Sequence, residues 1–588
     1  MANGPELNTD GPVGVTVKLD GKAMADDIQL QSVRVLHELN RIPEARFTVL
    51  SDSLQIEDFT ALDSADFAVG TEVEISAFYG DYAEKSLFKG IILTNRARLD
   101  GRSGLRMELI CRDKAMRLTE VRSSAPYDAM KDSEVMERII KDAGLTSEIT
   151  DTKAAAATQL RVGATDWDFL RLLADRNGFA LFVEGGKIKA VAPDTSGAAV
   201  LSVTYGINII DLDISLDTHR MIGAAKFSAW TEKDQAVVTD ESNTVPAQSF
   251  GNTSVSTLAK VLGDREVQTG TAIELASDRL GVMAKARTAR AGLAAVRGTV
   301  KFQGNGEIRP LDMLQVVGTG DRFSGDGFVS SVEHEIGGGA WTTQVRLGLP
   351  PDWTSDAQGL GAPAAAGIAT PIHGLQIGKV VALAPDEEGM QRIQVKLPMI
   401  GDPAAEVWAR FAQPYASKEM GIQFLPEVDD EVLVSFLNAD PSAPIVIGSL
   451  HNDKAKRPIE ATTTNDLKTI VTREKLKMTF DDAKKIITVE TPGGHVLTLD
   501  DEASSFSLKD MNGNSIVMDS GGISLTTDKD ITLKATGNVA TEATMDATVT
   551  ANNVTCEAQI GFTGKGGATA EVSAGGQTKV EGGIVMIN

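Results

Sequence analysis

The chain of 588 residues has only two cysteines, Cys111 and Cys556, and no stretch of about 20 consecutive apolar residues. Two cysteines so far apart argue against a disulfide framework. The missing apolar run argues against a membrane-spanning helix. The first thirty residues also lack a basic segment followed by an apolar run. We therefore expect no signal peptide, and synthesis and assembly in the cytoplasm.

Aromatic residues are scarce, at 5% of the chain, and they thin out toward its end: the last tryptophan is Trp408 and the last tyrosine is Tyr415. The formal net charge of −24 repels phosphate backbones and anionic lipids, so we expect no nucleic-acid partner and no binding to a membrane surface. Apolar and charged residues, at 42% and 23%, are typical of folded protein. The length suggests about four domains.

The first part of the chain reads as strands interrupted by helices. Residues 13 to 115 alternate apolar and polar side chains, which is the period of half-buried strands. A helical period follows over residues 132 to 143, with Asp132 or Ser133 as the cap and Gly144 as the stop. Further predicted elements are a helix over 165–176 capped by Thr165 or Asp166, strands at 180–183 and 187–190, strands between 205 and 349, and a helix over 272–289.

Residues 359–370 are small, uncharged and without periodicity, which predicts a linker. Between Gly374 and His451 about five short strands follow, among them 393–397 and 431–436, separated by glycine and proline turns. Five strands in under about 80 residues predict a small barrel of the OB type.

From Lys485 onward, aliphatic pairs recur with turn residues between them, and the first strand of this region is expected at Met478. The pairs are Leu497 and Leu499, Phe506 and Leu508, Ile516 and Met518, Ile523 and Leu525, and Ile531 and Leu533. Each unit is a short strand with one apolar face that no helix or second layer can cover. We therefore expect three identical chains to meet on a common axis as a needle. A monomeric solenoid with its own core is the alternative.

Several segments occur in an order and spacing that together are specific. They are Gly389-Met390-Gln391-Arg392-Ile393-Gln394-Val395, Trp408-Ala409-Arg410, residues 424–434, Pro444-Ile445-Val446-Ile447-Gly448-Ser449-Leu450-His451-Asn452, residues 166–173 and residues 327–334. With these segments the chain resembles the VgrG family of type VI secretion and the related spike proteins of extracellular contractile injection systems and phage tails. Asp429 and Ala439-Asp440 depart from the family's turns without changing the expected fold.

The resemblance implies a structural protein whose trimeric hub carries two tube-like β-barrel domains per chain, matching a sixfold inner tube. The OB barrel joins the hub to the needle, and sheath contraction drives the needle through the target membrane by mechanical puncture. Implied partners are the inner tube and tube-initiator proteins, baseplate proteins, effector cargo, and a PAAR-like tip protein at Val585-Met586-Ile587-Asn588. The short spike favours the extracellular, phage-tail-like branch, in a particle that is released or acts outside the cell.

The sequence offers little for catalysis or metal binding. His37-Glu38 and His334-Glu335 begin like zinc-protease helices, but Arg41 and Gly338 stand where the second ligand belongs. The other histidines, His219, His373, His451 and His495, form no pair at ligand spacing, Gly564-Lys565 and Gly318-x-Gly320 lack the rest of a phosphate loop, and Asp429-Asp430, Asp481-Asp482 and Asp500-Asp501 are expected to be turn charges. We expect no catalytic residue, no cofactor-binding residue and no metal ligand.

The predicted fold is mainly β with a small α/β insert. The domains are two tube-like hub β-barrels at 1–130 and 201–355, the insert at 131–200, a linker at 356–373, an OB-fold domain at 374–455, and a trimeric β-helical or β-prism spike at 456–588. The predicted function is that of a hub and spike in a contractile injection particle. The alternatives are a type VI secretion VgrG that carries an effector and, third, a polysaccharide-processing β-helix enzyme.

Overall fold

A computed structural model describes residues 9–50, 63–100, 104–231, 234–246, 248–271, 275–356, 364, 370–386, 389, 391–401 and 403–587. The chain divides into two compact units, Met1–Ser449 and Leu450–Asn588, which we call the hub unit and the tail unit. Within the described ranges, no helix combines the length and the apolar character that a membrane span requires. Most of the predicted linker at 359–370 lies outside the described residues.

The described residues of the hub unit form four α-helices and thirty strands. The helices are α1 (Asp132–Asp142), α2 (Asp166–Arg176), α3 (Val255–Lys260) and α4 (Ser277–Leu293). The strands up to the insert are β1 (Val13–Leu19), β2 (Lys22–Ala23), β3 (Gln29–Glu38), β4 (Glu44–Leu50), β5 (Glu72–Tyr79), β6 (Lys85–Asp100), β7 (Gly104–Arg112) and β8 (Arg122–Met130). Those of the insert and beyond are β9 (Thr146–Ile149), β10 (Ala157–Thr165), β11 (Ala180–Glu184), β12 (Lys187–Val191), β13 (Leu201–Thr204), β14 (Ile209–Leu216), β15 (Ala224–Thr231), β16 (Ala236–Ser242), β17 (Ser249–Phe250), β18 (Thr253–Ser254), β19 (Glu266–Thr271), β20 (Val296–Gln303), β21 (Met313–Val317), β22 (Gly325–Gly337) and β23 (Ala340–Leu347).

One large sheet runs through the hub, in the order β14-β20-β23-β22-β3-β4-β7-β6-β5-β1-β2, with β13, β17, β18 and β21 beside β22. Its two halves come from two separate segments of the chain, residues 13–112 and 201–347, and they join where β3 pairs with β22. Each half covers a core of its own, one around Phe47 and Leu109 and the other around Phe302 and Val345. The mainly β prediction is confirmed, and strands from both regions predicted as hub barrels, 1–130 and 201–355, lie in one continuous sheet.

The insert contains the predicted helices with small shifts. Thr165 caps α2, because its hydroxyl accepts a hydrogen bond from the backbone N–H of Asp168 at 3.0 Å. The cap predicted for α1 was wrong: Lys131 holds that position, and Asp132 is the first helical residue, with a buried side chain. The helix predicted over 272–289 begins later, as α4, at Ser277. Strand β8, which falls within the domain predicted at 1–130, pairs with β10 of the insert.

A closed five-stranded barrel follows the hub sheet, in the order β24-β25-β26-β30-β29. Its strands and the hairpin within it are β24 (Gln376–Ala382), β25 (Ile393–Leu397), β26 (Ala405–Phe411), β27 (Ala416–Ser417), β28 (Met420–Gly421), β29 (Glu431–Phe436) and β30 (Pro444–Leu450). Buried aliphatic side chains such as Val395 and Val432 fill the barrel. Alternate residues of each strand point inward, which is the pattern that predicted a small barrel.

The tail unit contains one seven-stranded antiparallel sheet in sequential order. Its strands are β31 (Leu467–Val471), β32 (Lys477–Asp481), β33 (Ile486–Glu490), β34 (Val496–Asp500), β35 (Ser505–Lys509), β36 (Ser515–Asp519) and β37 (Gly522–Thr526). The sheet therefore starts at Leu467, earlier than predicted. Ile531 and Leu533, predicted to form a strand, lie in a segment without strand pairing among residues 527–587.

Candidate functional site

The hub sheet has a second face that is polar. On β3, Val33, Val35 and His37 are buried, whereas Arg34 and Glu38 project from the opposite side. Because side chains alternate along a strand, the same division holds for the neighbouring strands, and their polar side chains lie on one surface, which we call the polar face.

Ion pairs cross this polar face from strand to strand. Lys301 on β20 contacts Glu335 on β22 at 3.0 Å, and Arg346 on β23 contacts Glu38 on β3 at 3.0 Å. Further pairs are Arg34 with Glu333, Arg46 with Glu44, Arg112 with Glu44, and Arg98 with Glu108. Opposite charges across neighbouring strands stabilise a sheet modestly, so the polar face is adapted to water or to a polar partner.

A cleft of about 700 Å³ opens where the polar face meets α2 and α4. Five arginines line it: Arg41, Arg171, Arg290, Arg297 and Arg346. Burial lowers the pKa of Arg290, and the nearby Asp175 counteracts this effect. Glu38, Asp213, Asp352 and Asp356 line the same cleft, so charges of both signs meet there.

Two buried histidines lie beside the junction of β3 and β22, on adjacent strands. The ring of His37 contacts the carbonyl oxygen of Leu87 through Nε2 at 2.7 Å, and its Nδ1 has no hydrogen-bond partner among the described residues. The ring of His334 contacts the hydroxyl of Thr343 at 3.0 Å. Burial lowers the pKa of both imidazoles, and Arg309 contributes to the effect on each.

The buried Asp132 organises the insert. Its carboxylate accepts hydrogen bonds from Arg176 at 2.6 Å, Asn177 at 2.6 Å and Gln159 at 2.9 Å, and Arg279 of α4 approaches at 3.3 Å. Burial raises the pKa of Asp132, but Arg176 and the other donors outweigh burial and hold the pKa below its usual value. No sequence pattern pointed to this network, because Arg279 lies 147 residues from its partner.

The carboxylates considered for catalysis take part in turn hydrogen bonds and in ion pairs. Asp430 accepts a turn hydrogen bond from Glu427 N at 2.8 Å, and Asp500 accepts one from Ala503 N at 2.8 Å. Asp429 pairs with Lys379, and Asp482 pairs with Lys468. Within the described ranges, no group of three or more His, Cys, Asp or Glu residues is arranged to hold a metal ion.

The tail sheet carries two rows of apolar side chains on one surface, which we call the apolar face. Cross-strand pairing aligns seven residues in one row and six in the other: Ile470, Met478, Val489, Leu497, Leu508, Ile516 and Leu525, then Phe480, Ile487, Leu499, Phe506, Met518 and Ile523. None of these side chains is buried. The opposite surface, the threonine face, carries Thr469, Thr479, Thr488, Thr498, Ser507, Val517 and Ser524.

Comparison with known proteins identifies a family for the barrel and relatives that align with parts of the chain. Residues 376–451 match a family described as the type VI secretion system/phage-baseplate injector OB domain. The spike protein VgrG1a of Pseudomonas aeruginosa is 40% identical over 53 residues, which are 9% of this chain and 8% of that protein. VgrG3 of Vibrio cholerae is 30% identical over 130 residues, which are 21% of this chain and 12% of that protein. The chain thus aligns with only a small part of these relatives' length.

Among solved structures, a tail protein from Neisseria meningitidis shares 16% sequence identity at a TM-score of 0.42, covering 59% of this chain and 99% of that one. The OB domain and the matched spike proteins define the class that the chain resembles: it is VgrG-like. A family described as the Alg8 N-terminal domain matches residues 9–338, more than half of the chain, and the chain therefore belongs to that family.

Proposed function

We propose that three copies of this chain form the hub and spike of a contractile injection particle. The hub adapts a sixfold tube to a threefold spike, and the spike is driven through the target envelope. The matched OB domain and the VgrG relatives support this function. The chain's own partners in it are further copies of itself, tube and baseplate proteins, a tip protein and cargo.

The observation that carries the proposal is the uncovered apolar face of the tail sheet. Leu525 and Ile523 are 57% and 71% exposed in a single chain, although both stand in rows of apolar neighbours. Exposed apolar area of this extent is unfavourable in water and marks an interaction surface. Three copies can cover their three apolar faces by packing them against one another around one axis. Aromatic residues are nearly absent after Phe506, which keeps that axis narrow.

The experiment is the mass of the intact protein by light scattering, with two matched pairs of substitutions. Val489→Asp with Leu497→Asp places charges on the apolar face, and Thr488→Asp with Thr498→Asp places them one residue away on the threonine face. We expect three times the chain mass of 62.3 kDa for the unchanged protein and for the threonine pair, and the single-chain mass for the apolar pair. A monomeric unchanged protein, or a trimer for both variants, would contradict the proposal.

We further propose that the chain is not an enzyme and that the work of puncture comes from sheath contraction. The matched spike proteins support this proposal. Asp500 and Asp501 then have only a turn role, and Asp500→Asn with Asp501→Asn leaves assembly and target puncture unchanged. A loss of puncture by correctly assembled particles carrying these substitutions would contradict this part of the proposal.

A further inference from the structure

The cleft beside α2 and α4 has a volume of about 700 Å³, which is in the range of small-molecule sites. Two of its four lining carboxylates are paired with arginines that do not line it. Asp352 contacts Arg220 at 2.6 Å, and Asp356 contacts Arg287 at 3.8 Å. These two acids therefore neutralise charge outside the cleft and leave its own arginines with fewer partners.

On the sheet side of the cleft, three arginines face two carboxylates. Glu38 serves two guanidinium groups, because Arg346 lies 3.0 Å and Arg41 lies 3.4 Å from its carboxylate oxygens. Asp213 on β14 lies diagonally across from Arg297 on β20, so that their charges offset each other. One positive charge is left over on this side.

On the helical side of the cleft, Arg171 of α2 and Arg290 of α4 have the buried Asp175 as their neighbouring acid. Asp175 lies 3.9 Å from Arg290 and also accepts a hydrogen bond from the backbone N–H of Thr354 at 2.6 Å. Burial lowers the pKa of Arg290, Asp175 opposes that effect, and the charge of Arg171 adds to it. The two guanidinium groups therefore repel each other, and a second positive charge is left over here.

The guanidinium group of Arg171 has no hydrogen bond and no ion pair with any other residue that the structure describes, and its Nε is buried. Trp353, which also lines the cleft, has a buried Nε1 without a hydrogen-bond partner among the described residues. Buried donors without an acceptor cost free energy, and most proteins satisfy them. These donors indicate an acceptor that the chain itself does not supply.

We propose that the cleft binds a phosphate group, with the guanidinium groups of Arg171 and Arg290 as its main ligands. A phosphate carries a charge of about −1.5 to −2 at neutral pH, which matches the two positive charges left over, whereas a carboxylate carries only one charge. The planar fork of a guanidinium group fits phosphate oxygens in pairs. The cleft is larger than one phosphate, so the group comes either from free phosphate or from a small phosphorylated metabolite. All lining residues belong to one chain, and the site therefore does not depend on the proposed trimer.

The test is isothermal titration calorimetry of the full-length protein with inorganic phosphate at neutral pH, with sodium chloride at equal ionic strength as the blank. Ribose 5-phosphate is titrated in a second arm. We expect one site per chain with a Kd below about 1 mM in at least one arm. Binding of ribose 5-phosphate that is tighter by about tenfold assigns the source to a phosphorylated metabolite, and equal affinities assign it to free phosphate. No binding in either arm overturns the proposal.

Arg171→Gln is the variant, because its guanidinium group makes no bond that folding needs, whereas a change at Arg290 would leave the buried Asp175 without its cation. We expect phosphate affinity to fall by about tenfold or more. The melting temperature without phosphate should not fall, because the repulsion of Arg290 is removed. Arg138→Gln on α1, at a side chain 55% exposed, is the matched control and keeps the affinity.

Three results with these variants would overturn the site. The first is an unchanged affinity in Arg171→Gln, and the second is an equal loss of affinity in Arg138→Gln. The third is a melting temperature of Arg171→Gln that falls in the absence of phosphate, which would assign this arginine a structural role in the hub.

Discussion

The hub unit and the tail unit are both built from antiparallel strands, yet only the hub unit covers its apolar side chains. In the hub, Phe47, Leu109 and Phe302 are fully buried beneath one face of the sheet. In the tail, none of the aligned side chains of the apolar face is buried, because no second layer packs on them in the part of the chain that the structure describes. A regular strand pattern is therefore enough to form a sheet, but a second layer must pack on the sheet's apolar face before the sheet has a core.

The largest expected effect on the hub comes from removing a side chain of its core. Phe47 is fully buried and packs near Phe67, with ring centroids 6.5 Å apart. Phe47→Ala deletes that packing and leaves a cavity, so we expect the hub's free energy of unfolding to fall by about 3–5 kcal/mol. The measurement is denaturant unfolding followed at the hub tryptophans. Val237→Ala, at a position 64% exposed, is the control and changes the value by less than about 0.5 kcal/mol. Equal losses in both variants would contradict the assignment of this core.

A second substitution removes the acid at the centre of the insert. Asp132→Asn leaves Arg176 and Arg279 without their anionic partner in a largely buried place, and we expect a loss of about 3 kcal/mol. Asp142→Asn on the same helix, whose side chain is 71% exposed, is the control and costs below about 0.5 kcal/mol. Because the folded pKa of Asp132 is lowered, its contribution is present above the unfolded pKa of about 4 and is lost as the pH falls through the folded pKa. Identical acid unfolding curves for Asp132→Asn and the unchanged chain would argue against this role.

Sequence patterns predicted local structure well and long-range structure poorly. The strands 393–397 and 431–436 of the barrel lie where alternation placed them, since their inward side chains are apolar in every case. The pairing of β3 with β22 and the contact of Arg279 with Asp132 join residues far apart in sequence, so no local pattern encodes them. The tail's apolar pairs were found from sequence, but the first strand at Leu467 was missed, because lysine stands at Lys468 where its neighbours carry aliphatic residues.

The third prediction concerns pH and applies to the hub alone. His37 and His334 are buried with lowered pKa values, so the unfolded chain binds protons below about pH 6.5 that the folded chain does not. Stability is therefore lost as the pH falls below about 6.5, by up to about 1.4 kcal/mol per pH unit for each histidine. Burial raises the pKa values of Asp113 and Asp312, which acts in the opposite direction. The difference in stability between the unchanged chain and His334→Gln isolates the contribution of His334 to this pH dependence.

That contrast is measured as the hub's melting temperature between pH 7.5 and 5. We expect His334→Gln to flatten the decline, whatever its cost at neutral pH, and the exposed His219→Gln to leave the slope unchanged. A slope that is the same in all three proteins would show that His334 does not cause the decline.

The smallest effect on the hub is expected from a change in the tail. Leu525 lies on the apolar face and is 57% exposed in one chain, so Leu525→Ala removes side-chain area that the hub does not cover. We expect the hub transition to move by less than about 0.5 kcal/mol. The trimer, by contrast, dissociates at a lower temperature, because each copy loses area that the other copies bury. It also needs a higher protein concentration to stay assembled. Ser524→Ala, one residue away on the threonine face, should change neither transition. If Leu525→Ala destabilised the protein equally at every concentration, the apolar face would have to be covered within one chain, and the contrast between the two units would disappear.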